Sequence, residues 1–143
     1  MIALLDVNVL VAIAWPTHVH HADARAWFLD AADDGWATTP VTEHGFVRIS
    51  VNPAAVGEPI SPREAATILK GITSAGRHEF WPDAVSAQET SELLGERLAT
   101  HRQITDGHLL TLAARNHGTL ATLDRGVAEL AGRNTQLVTL LTP

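Results

Sequence analysis

The first thirteen residues constrain the fold of this chain most strongly, because an apolar run ends at a carboxylate and then resumes. Residues 2–5 predict a short buried strand, and residues 7–13 predict the start of a helix. Asp6 and Asn8 then lie where the strand ends and the chain turns. In open α/β sheets, ligands bind at this carboxyl edge of the strands. The opening stretch therefore predicts that Asp6 either caps a helix or belongs to a site.

The rest of the chain alternates predicted strands with predicted helices. Further strands are predicted at residues 36–39, 79–81, 119–123 and 136–141. Further helices are predicted at residues 19–32, from Thr39 or Thr42 to Asn52, and at residues 61–74, 86–98, 106–117 and 125–131. Loops are predicted at residues 54–60 and 100–105, and Gly118 is predicted to end the 106–117 helix. Such alternation predicts parallel βαβ units and a three-layer α/β sandwich.

Composition narrows the class of protein. A chain of 143 residues predicts one domain. The chain contains no cysteine, which excludes disulfides and thiolate metal sites. Neither a signal peptide nor a bilayer-spanning segment is visible, so we expect a soluble cytoplasmic protein. The net charge of −6 argues mildly against binding nucleic acid by charge alone, but it is compatible with an acidic cluster that a divalent cation neutralises.

Four acids occupy comparable places in the predicted elements. Asp6 and Asp124 end predicted strands, and Glu43 and Asp106 stand in the first turns of predicted helices. Each acid alone is consistent with an ordinary helix cap. If the first strand lies beside the 119–123 strand, however, Asp6 and Asp124 meet at a topological switch point, and the helix-start acids can face the same cleft.

A cluster of carboxylates in one cleft requires compensation, because like charges repel and raise each other's pKa. A hard cation such as Mg²⁺ or Mn²⁺ prefers oxygen ligands and also binds phosphates. Such a site can activate a water and stabilise charge on a phosphodiester during cleavage. The amide of Asn8 and the hydroxyls of Thr105 and Thr122 are candidate supporting groups.

Four segments carry a resemblance to a known family: LDVNVL at residues 5–10, TE at 42–43, ITDGHL at 104–109 and GTLATLDR at 118–125. In this order and spacing, the chain resembles a PIN domain, and more narrowly the VapC toxins of bacterial VapBC toxin–antitoxin pairs. The resemblance covers essentially the whole chain, residues 1–143. It implies a three-layer, Rossmann-like sandwich with a central parallel sheet of about five strands.

The resemblance also implies an activity. VapC toxins are Mg²⁺- or Mn²⁺-dependent endoribonucleases that cleave RNA, often tRNA or rRNA, and thereby inhibit translation. The attacking group is a metal-activated water, and the products carry a 5′-phosphate and a 3′-hydroxyl. The family implies a homodimer and a cognate VapB-type antitoxin. Its acidic quartet falls on Asp6, Glu43, Asp106 and Asp124. The three aspartates are then the metal ligands, and Glu43 is a ligand or orients the attacking water.

Other features are open to two interpretations. Arg48, Arg102 and Arg125 adjoin the acid segments, so each is a candidate RNA contact or a partner for the carboxylates. The histidines at positions 18, 20 and 21 lack the spacing of a zinc site and are interpreted as a solvated helix start. His44 and His108 adjoin acids and are interpreted as ordinary polar or structural groups.

Two other classes of protein are compatible with the pattern. A haloacid-dehalogenase-like phosphatase would use Asp6 as its nucleophile, but that family has an acid where this chain has Asn8, and its lysine would have to be Lys70. A non-catalytic α/β binding module would use the four acids only as helix caps.

Overall fold

The computed structural model describes residues 1–141, and its strands form one parallel sheet. The strands are β1 (Ala3–Leu5), β2 (Trp36–Thr38), β3 (His78–Phe80), β4 (Thr119–Thr122) and β5 (Val138–Leu140). Their order across the sheet is β3-β2-β1-β4-β5, with every neighbouring pair parallel. The chain adds β2 and β3 to one side of β1 and then β4 and β5 to the other. The switch point therefore lies between β1 and β4, as predicted.

Helices cover both faces of the sheet. They are α1 (Val7–Ala14), α2 (His21–Ala31), α3 (Pro40–Ser50), α4 (Pro53–Val56), α5 (Pro62–Ile72), α6 (Ala87–Leu94), α7 (Ile104–Arg115) and α8 (Arg125–Ala131). One core joins α1, α2, α3 and α5 to strand residues such as Leu5 and Trp36. A second core joins α6, α7 and α8 to alternate strand residues such as Leu4 and Leu120. This alternation confirms the three-layer α/β sandwich.

Two helices begin at the residues that the capping rules favour. The Thr39 hydroxyl accepts a hydrogen bond of 3.2 Å from the Thr42 amide, and Pro40 occupies the first helical position of α3. Thr39, rather than Thr42, is therefore the cap of α3. At α5, the Ser61 hydroxyl accepts from the Glu64 amide at 3.1 Å in the predicted capping box.

Several predicted boundaries were wrong. The predicted 54–60 loop contains part of the short helix α4. Helix α6 ends at Leu94, and a 3-10 turn, Gly95–Arg97, replaces the rest of the predicted 86–98 helix because Gly95 adopts a positive φ of 57°. A second 3-10 turn, His101–Gln103, occupies the predicted 100–105 loop, and α7 begins at Ile104 rather than at Asp106.

The end of α7 also differs from the prediction. The residue with a left-handed backbone is His117, with a φ of 55°, and not Gly118. Gly118 is instead a site of close packing, since a Cβ added there would lie 2.5 Å from the Ile2 carbonyl oxygen and 3.1 Å from the Trp81 ring. This glycine lets the chain enter β4 directly beside the start of β1. Within residues 1–141, no helix is long and apolar enough to cross a bilayer.

Candidate active site

Asp6 lies buried at the carboxyl end of β1. Its Oδ1 accepts a hydrogen bond of 2.7 Å from the Val7 amide and so caps α1, and its Oδ2 accepts one of 2.8 Å from the Thr122 hydroxyl. Burial raises the pKa of Asp6, the hydrogen bonds from Thr122 and Val7 lower it, and the charge of Asp124 raises it. The net pKa is above the ordinary value, because burial, with a smaller contribution from the charge of Asp124, outweighs the two hydrogen bonds.

Asn8 and Thr122 tie the ends of β1 and β4 together. The Asn8 amide nitrogen donates to Thr122 Oγ1 at 3.3 Å and to Asp6 Oδ2 at 3.4 Å, while Asn8 Oδ1 accepts from the Leu123 amide at 3.2 Å. Thr122 Oγ1 also accepts from the Asp124 amide at 3.1 Å. The two predicted supporting residues therefore contact the first acid and the loop that carries the last one.

Asp124 follows β4 and caps α8, since its Oδ1 accepts from the Gly126 amide at 2.8 Å. The cap interpretation is thus correct for both Asp6 and Asp124. A cap engages one oxygen of each carboxylate, however, and a carboxylate has about four acceptor positions. Capping therefore does not exclude a second role at the same residues.

Asp106 brings a third carboxylate to this edge of the sheet. It lies half-buried in the first turn of α7. Burial first, then the charges of Asp6 and Asp124, raise the pKa of Asp106 from 3.8 to about 6. The ion pairs His108–Asp83 and Arg115–Glu89 involve other acids. The three aspartates therefore share one electrostatic environment at the predicted switch point.

A cavity of about 290 Å³ adjoins Asp106 and Asp124 and contains a cation that the sequence did not reveal. The cation is Arg97, whose Nε donates to the Leu130 carbonyl at 3.1 Å. Its side chain passes over Gly132, where an added Cβ would lie 2.6 Å from Arg97 Nε. The three arginines chosen from sequence proximity are exposed and do not line this cavity, namely Arg48, Arg102 and Arg125.

Glu43 lies on the other flank of β1, in the first turn of α3 after β2. Its Oε2 accepts a hydrogen bond of 2.6 Å from the hydroxyl of Thr38, the last residue of β2. It lines a cavity of about 350 Å³ between α3 and α5 that Lys70 also lines. The predicted quartet is thus divided between three aspartates near the switch point and one glutamate beside the next strand.

Thr105 does not join the acids. It is exposed and lines a different, largely apolar cavity with Ile104 and His108. The reason is that α7 already begins at Ile104, so Thr105 and Asp106 are consecutive helical residues whose side chains diverge by about 100°.

The histidines near the acids make structural contacts, as predicted. A ring nitrogen of His44 lies 2.8 Å from the Pro40 carbonyl oxygen, within α3. His108 Nε2 lies 2.9 Å from Asp83 Oδ1, and Asp83 Oδ2 accepts from the Val41 amide at 3.1 Å. Asp83 therefore links α7 to the start of α3, the two helices that carry Asp106 and Glu43.

The donor set fits a hard divalent cation. It consists of carboxylate oxygens supported by amide and hydroxyl groups, and the mutual repulsion of the aspartates favours a positive charge between them. Within residues 1–141, no group of three or more acids or histidines is placed to hold a metal ion, so the side chains alone form no cage for one. Mg²⁺ does not require such a cage, because it usually binds one or two carboxylates and retains several waters.

Comparison with known proteins assigns this arrangement to a family. The family described as PIN domain matches residues 3–133, a span that includes all four acids. Ribonuclease VapC39 of Mycobacterium tuberculosis is 47% identical over 131 residues, covering 92% of this chain and 94% of that protein. From the same organism, Ribonuclease VapC38 is 47% identical over 129 residues, covering 90% and 89%, and Ribonuclease VapC29 is 42% identical over 134 residues, covering 92% of each.

A solved structure shares the fold. The crystal structure of PAE2754 from Pyrobaculum aerophilum superimposes with a TM-score of 0.60, covering 91% of this chain and 79% of that chain. The two sequences are 20% identical, so this likeness concerns the fold alone.

Proposed function

This chain belongs to the PIN-domain family, among its VapC ribonucleases, and on that premise we propose that it is a metal-dependent endoribonuclease acting as the toxin of a toxin–antitoxin pair. One observation of the structure carries the proposal. Asp106 lies near enough to Asp6 and Asp124 that their charges, added to the larger effect of burial, raise its pKa to about 6. Helix caps do not require several carboxylates to lie close together, whereas a cation site does.

The cofactor that we propose is Mg²⁺ or Mn²⁺, held by Asp6, Asp106 and Asp124 directly or through water. When bound, such a cation supplies a Lewis acid that stabilises charge on a phosphodiester and lowers the pKa of a nearby water. Asn8 and Thr122 orient Asp6 through their hydrogen bonds.

Glu43 faces the same edge of the sheet from β2 and is proposed to orient the attacking water. Arg97 is positioned to contact an RNA phosphate in the cavity beside Asp106 and Asp124. Arg48, Arg102 and Arg125 remain candidates for more distant phosphate contacts on the exposed surface.

The substrate that we propose is RNA, with tRNA or rRNA as the targets that the family implies. The acidic chain gives little general attraction to phosphates. Binding then depends on the cation, on local arginines and on the shape of the RNA.

The partner that we propose is a VapB-type antitoxin that blocks the site, and the protein is proposed to act in the cytoplasm as a homodimer. That the PIN domain spans all of residues 1–143 stays a prediction, since residues 142 and 143 lie outside the described residues. Induced expression should arrest growth, and co-expression of the cognate antitoxin should restore it. Normal growth at verified soluble expression would contradict the toxin role.

The central experiment incubates purified protein, freed of antitoxin, with total RNA in Mg²⁺, in Mn²⁺ and in EDTA, and maps the new ends by sequencing. Discrete cuts are expected with either metal, and none with EDTA or with the Asp6→Ala variant. Asp34→Asn is the matched control, because Asp34 is an exposed acid in the turn before β2, at the opposite end of the strands. Cutting that persists in EDTA would contradict a metal mechanism.

The helix caps at Asp6 and Asp124 favour one alternative, a non-catalytic binding module. Stability in EDTA separates the two functions. In a binding module, Asp6→Asn lowers the melting temperature slightly and leaves any response to Mg²⁺ unchanged. In a metal site, the same substitution relieves repulsion, and Mg²⁺ then stabilises the variant less than the wild type.

A further inference from the structure

Glu43 is held by a hydrogen-bonded relay that begins on the edge strand β3. His78 Nε2 lies 2.8 Å from Thr38 Oγ1, and Thr38 Oγ1 donates to Glu43 Oε2 at 2.6 Å. The strand register explains the meeting, because His78 pairs with Trp36 in the sheet and Thr38 follows two residues later on the same face. No local pattern in the sequence predicts this contact, since 40 positions separate His78 from Thr38.

The direction of the relay follows from counting hydrogens. Thr38 has one hydroxyl hydrogen, and the Glu43 oxygen takes it. The contact between Thr38 and His78 therefore requires a hydrogen on His78 Nε2, which places the donor on the ring. Burial lowers the pKa of His78, which the charges of Glu43 and Glu79 partly offset. A neutral ring with its hydrogen on Nε2 satisfies both observations.

The His78 ring also packs against a buried aromatic side chain. The centroid of His78 lies 4.6 Å from that of Trp36, whose indole donates to the Ala75 carbonyl at 2.9 Å. Trp36 is fully buried and meets the edge of Phe28 at 4.9 Å between centroids. The relay is thus anchored in the core and ends at Glu43, which lines the cavity between α3 and α5.

We propose that His78 is a positioning residue for Glu43, holding the Thr38 hydroxyl so that Glu43 Oε2 is occupied and Oε1 is presented to the reacting water. This proposal rests on the proposed nuclease function for its catalytic consequence, but the relay itself exists in the free protein. In a preorganised site, orientation of this kind is worth about 10- to 100-fold in activity.

The first test concerns the relay alone and needs no substrate. Imidazole ¹⁵N NMR of the full chain should show a protonated Nε2 and an unprotonated Nδ1 at His78, and Thr38→Val should shift the Nε2 signal. A hydrogen on Nδ1 with Nε2 bare would overturn the proposal, because Thr38 would then have to donate to His78 instead of Glu43. This result stands whether or not the protein cleaves RNA.

The second test measures cleavage of the RNA that the wild type cuts. His78→Leu should lower kcat about 10- to 100-fold with little change in KM, and His78→Gln, whose amide can donate to Thr38, should restore part of the loss. Thr38→Val should match His78→Leu, and Thr38→Ser should resemble the wild type. Leu137→Ala, a buried substitution on the far side of the sheet, controls for loss of stability.

A double-mutant cycle decides whether His78 acts through Glu43. In the Glu43→Gln background, His78→Leu should cause no further loss of kcat, because the group that it positions is already gone. Independent, multiplicative losses would overturn the proposal. An inactive wild type with the predicted ¹⁵N pattern would refute the nuclease function while leaving the relay in place.

Discussion

Thr122, on β4, donates its hydroxyl hydrogen to Asp6 Oδ2, at the end of β1, across a distance of 2.8 Å. This contact joins the two strands that flank the switch point. Burial raises the pKa of Asp6, and the hydrogen bond from Thr122 lowers it. The same hydroxyl accepts from the Asp124 amide, so one side chain serves both strand ends.

Replacing Thr122 by valine keeps the shape of the side chain and removes these hydrogen bonds. We expect the pKa of Asp6 to rise further and the free energy of unfolding to fall by about 1–3 kcal/mol, since buried polar groups lose partners. NMR titration of the Asp6 carboxyl and urea unfolding measure the two effects. Thr122→Ser should resemble the wild type, and an unchanged Asp6 pKa in the valine variant would refute the assignment.

The raised pKa of Asp106 predicts how stability depends on pH without metal. The folded state holds this proton up to about pH 6, whereas the ordinary pKa of 3.8 applies to the unfolded chain. The folded state therefore binds more protons between pH 4 and 6, and its stability falls as pH rises through that window. The loss of stability is complete above about pH 6 and is absent below about pH 4.

Asp106→Asn should remove that pH dependence. In EDTA at pH 7 the variant should be more stable than the wild type by about 1 kcal/mol, a value discounted for the partial exposure of this group to water. Thermal unfolding in EDTA at several pH values makes the measurement. Parallel profiles for the variant and the wild type would show that Asp106 is not crowded by Asp6 and Asp124.

Two substitutions at Asp124 separate its role as a helix cap from the effect of its charge. Asp124→Asn retains a good cap for the Gly126 amide, so the metal-free protein should be at least as stable as the wild type. Asp124→Ala loses the cap and about 1 kcal/mol of stability. Both variants should lose about 100-fold in metal-dependent cleavage. An asparagine variant that cleaves like the wild type would reduce Asp124 to a cap.

The close contact between α1 and α3 predicts that the effect of Gly45→Ala on stability changes sign when Val7 is shortened. A Cβ added at Gly45 would lie 2.6 Å from Val7 Cγ2, so Gly45→Ala should destabilise the protein by about 1–2 kcal/mol. In a Val7→Ala background the clash is absent, and the same substitution should stabilise α3 by about 0.5–1 kcal/mol. Urea unfolding of the four proteins closes the cycle, and a loss in both backgrounds would contradict this packing.

The sequence was informative wherever a local pattern determined the structure. The apolar run before Asp6 and the one before Asp124 marked two buried strands, and the sheet shows that they are neighbours, which was only assumed from the sequence. Capping rules located the start of α5 and narrowed that of α3 to Thr39 or Thr42, because a hydroxyl three residues before a free amide acts locally. The core of the candidate site followed from these signals.

The remaining parts of the site depend on contacts that no local pattern encodes. Arg97 reaches the cavity because a 3-10 turn interrupts the predicted helix and Gly132 leaves room for its side chain. His78 meets Thr38 only through the register between β2 and β3. Thr105 is exposed and lines a separate cavity, and α7 begins two residues before its predicted start.

The position of β1 at the centre of the sheet has a consequence during synthesis. Asp6 is synthesised 116 residues before its hydrogen-bond partner Thr122, and Asp124 follows later still. An unfinished chain therefore carries the opening acid without the strand that completes the site. The proposed cleavage activity would then begin only after β4 and Asp124 have left the ribosome.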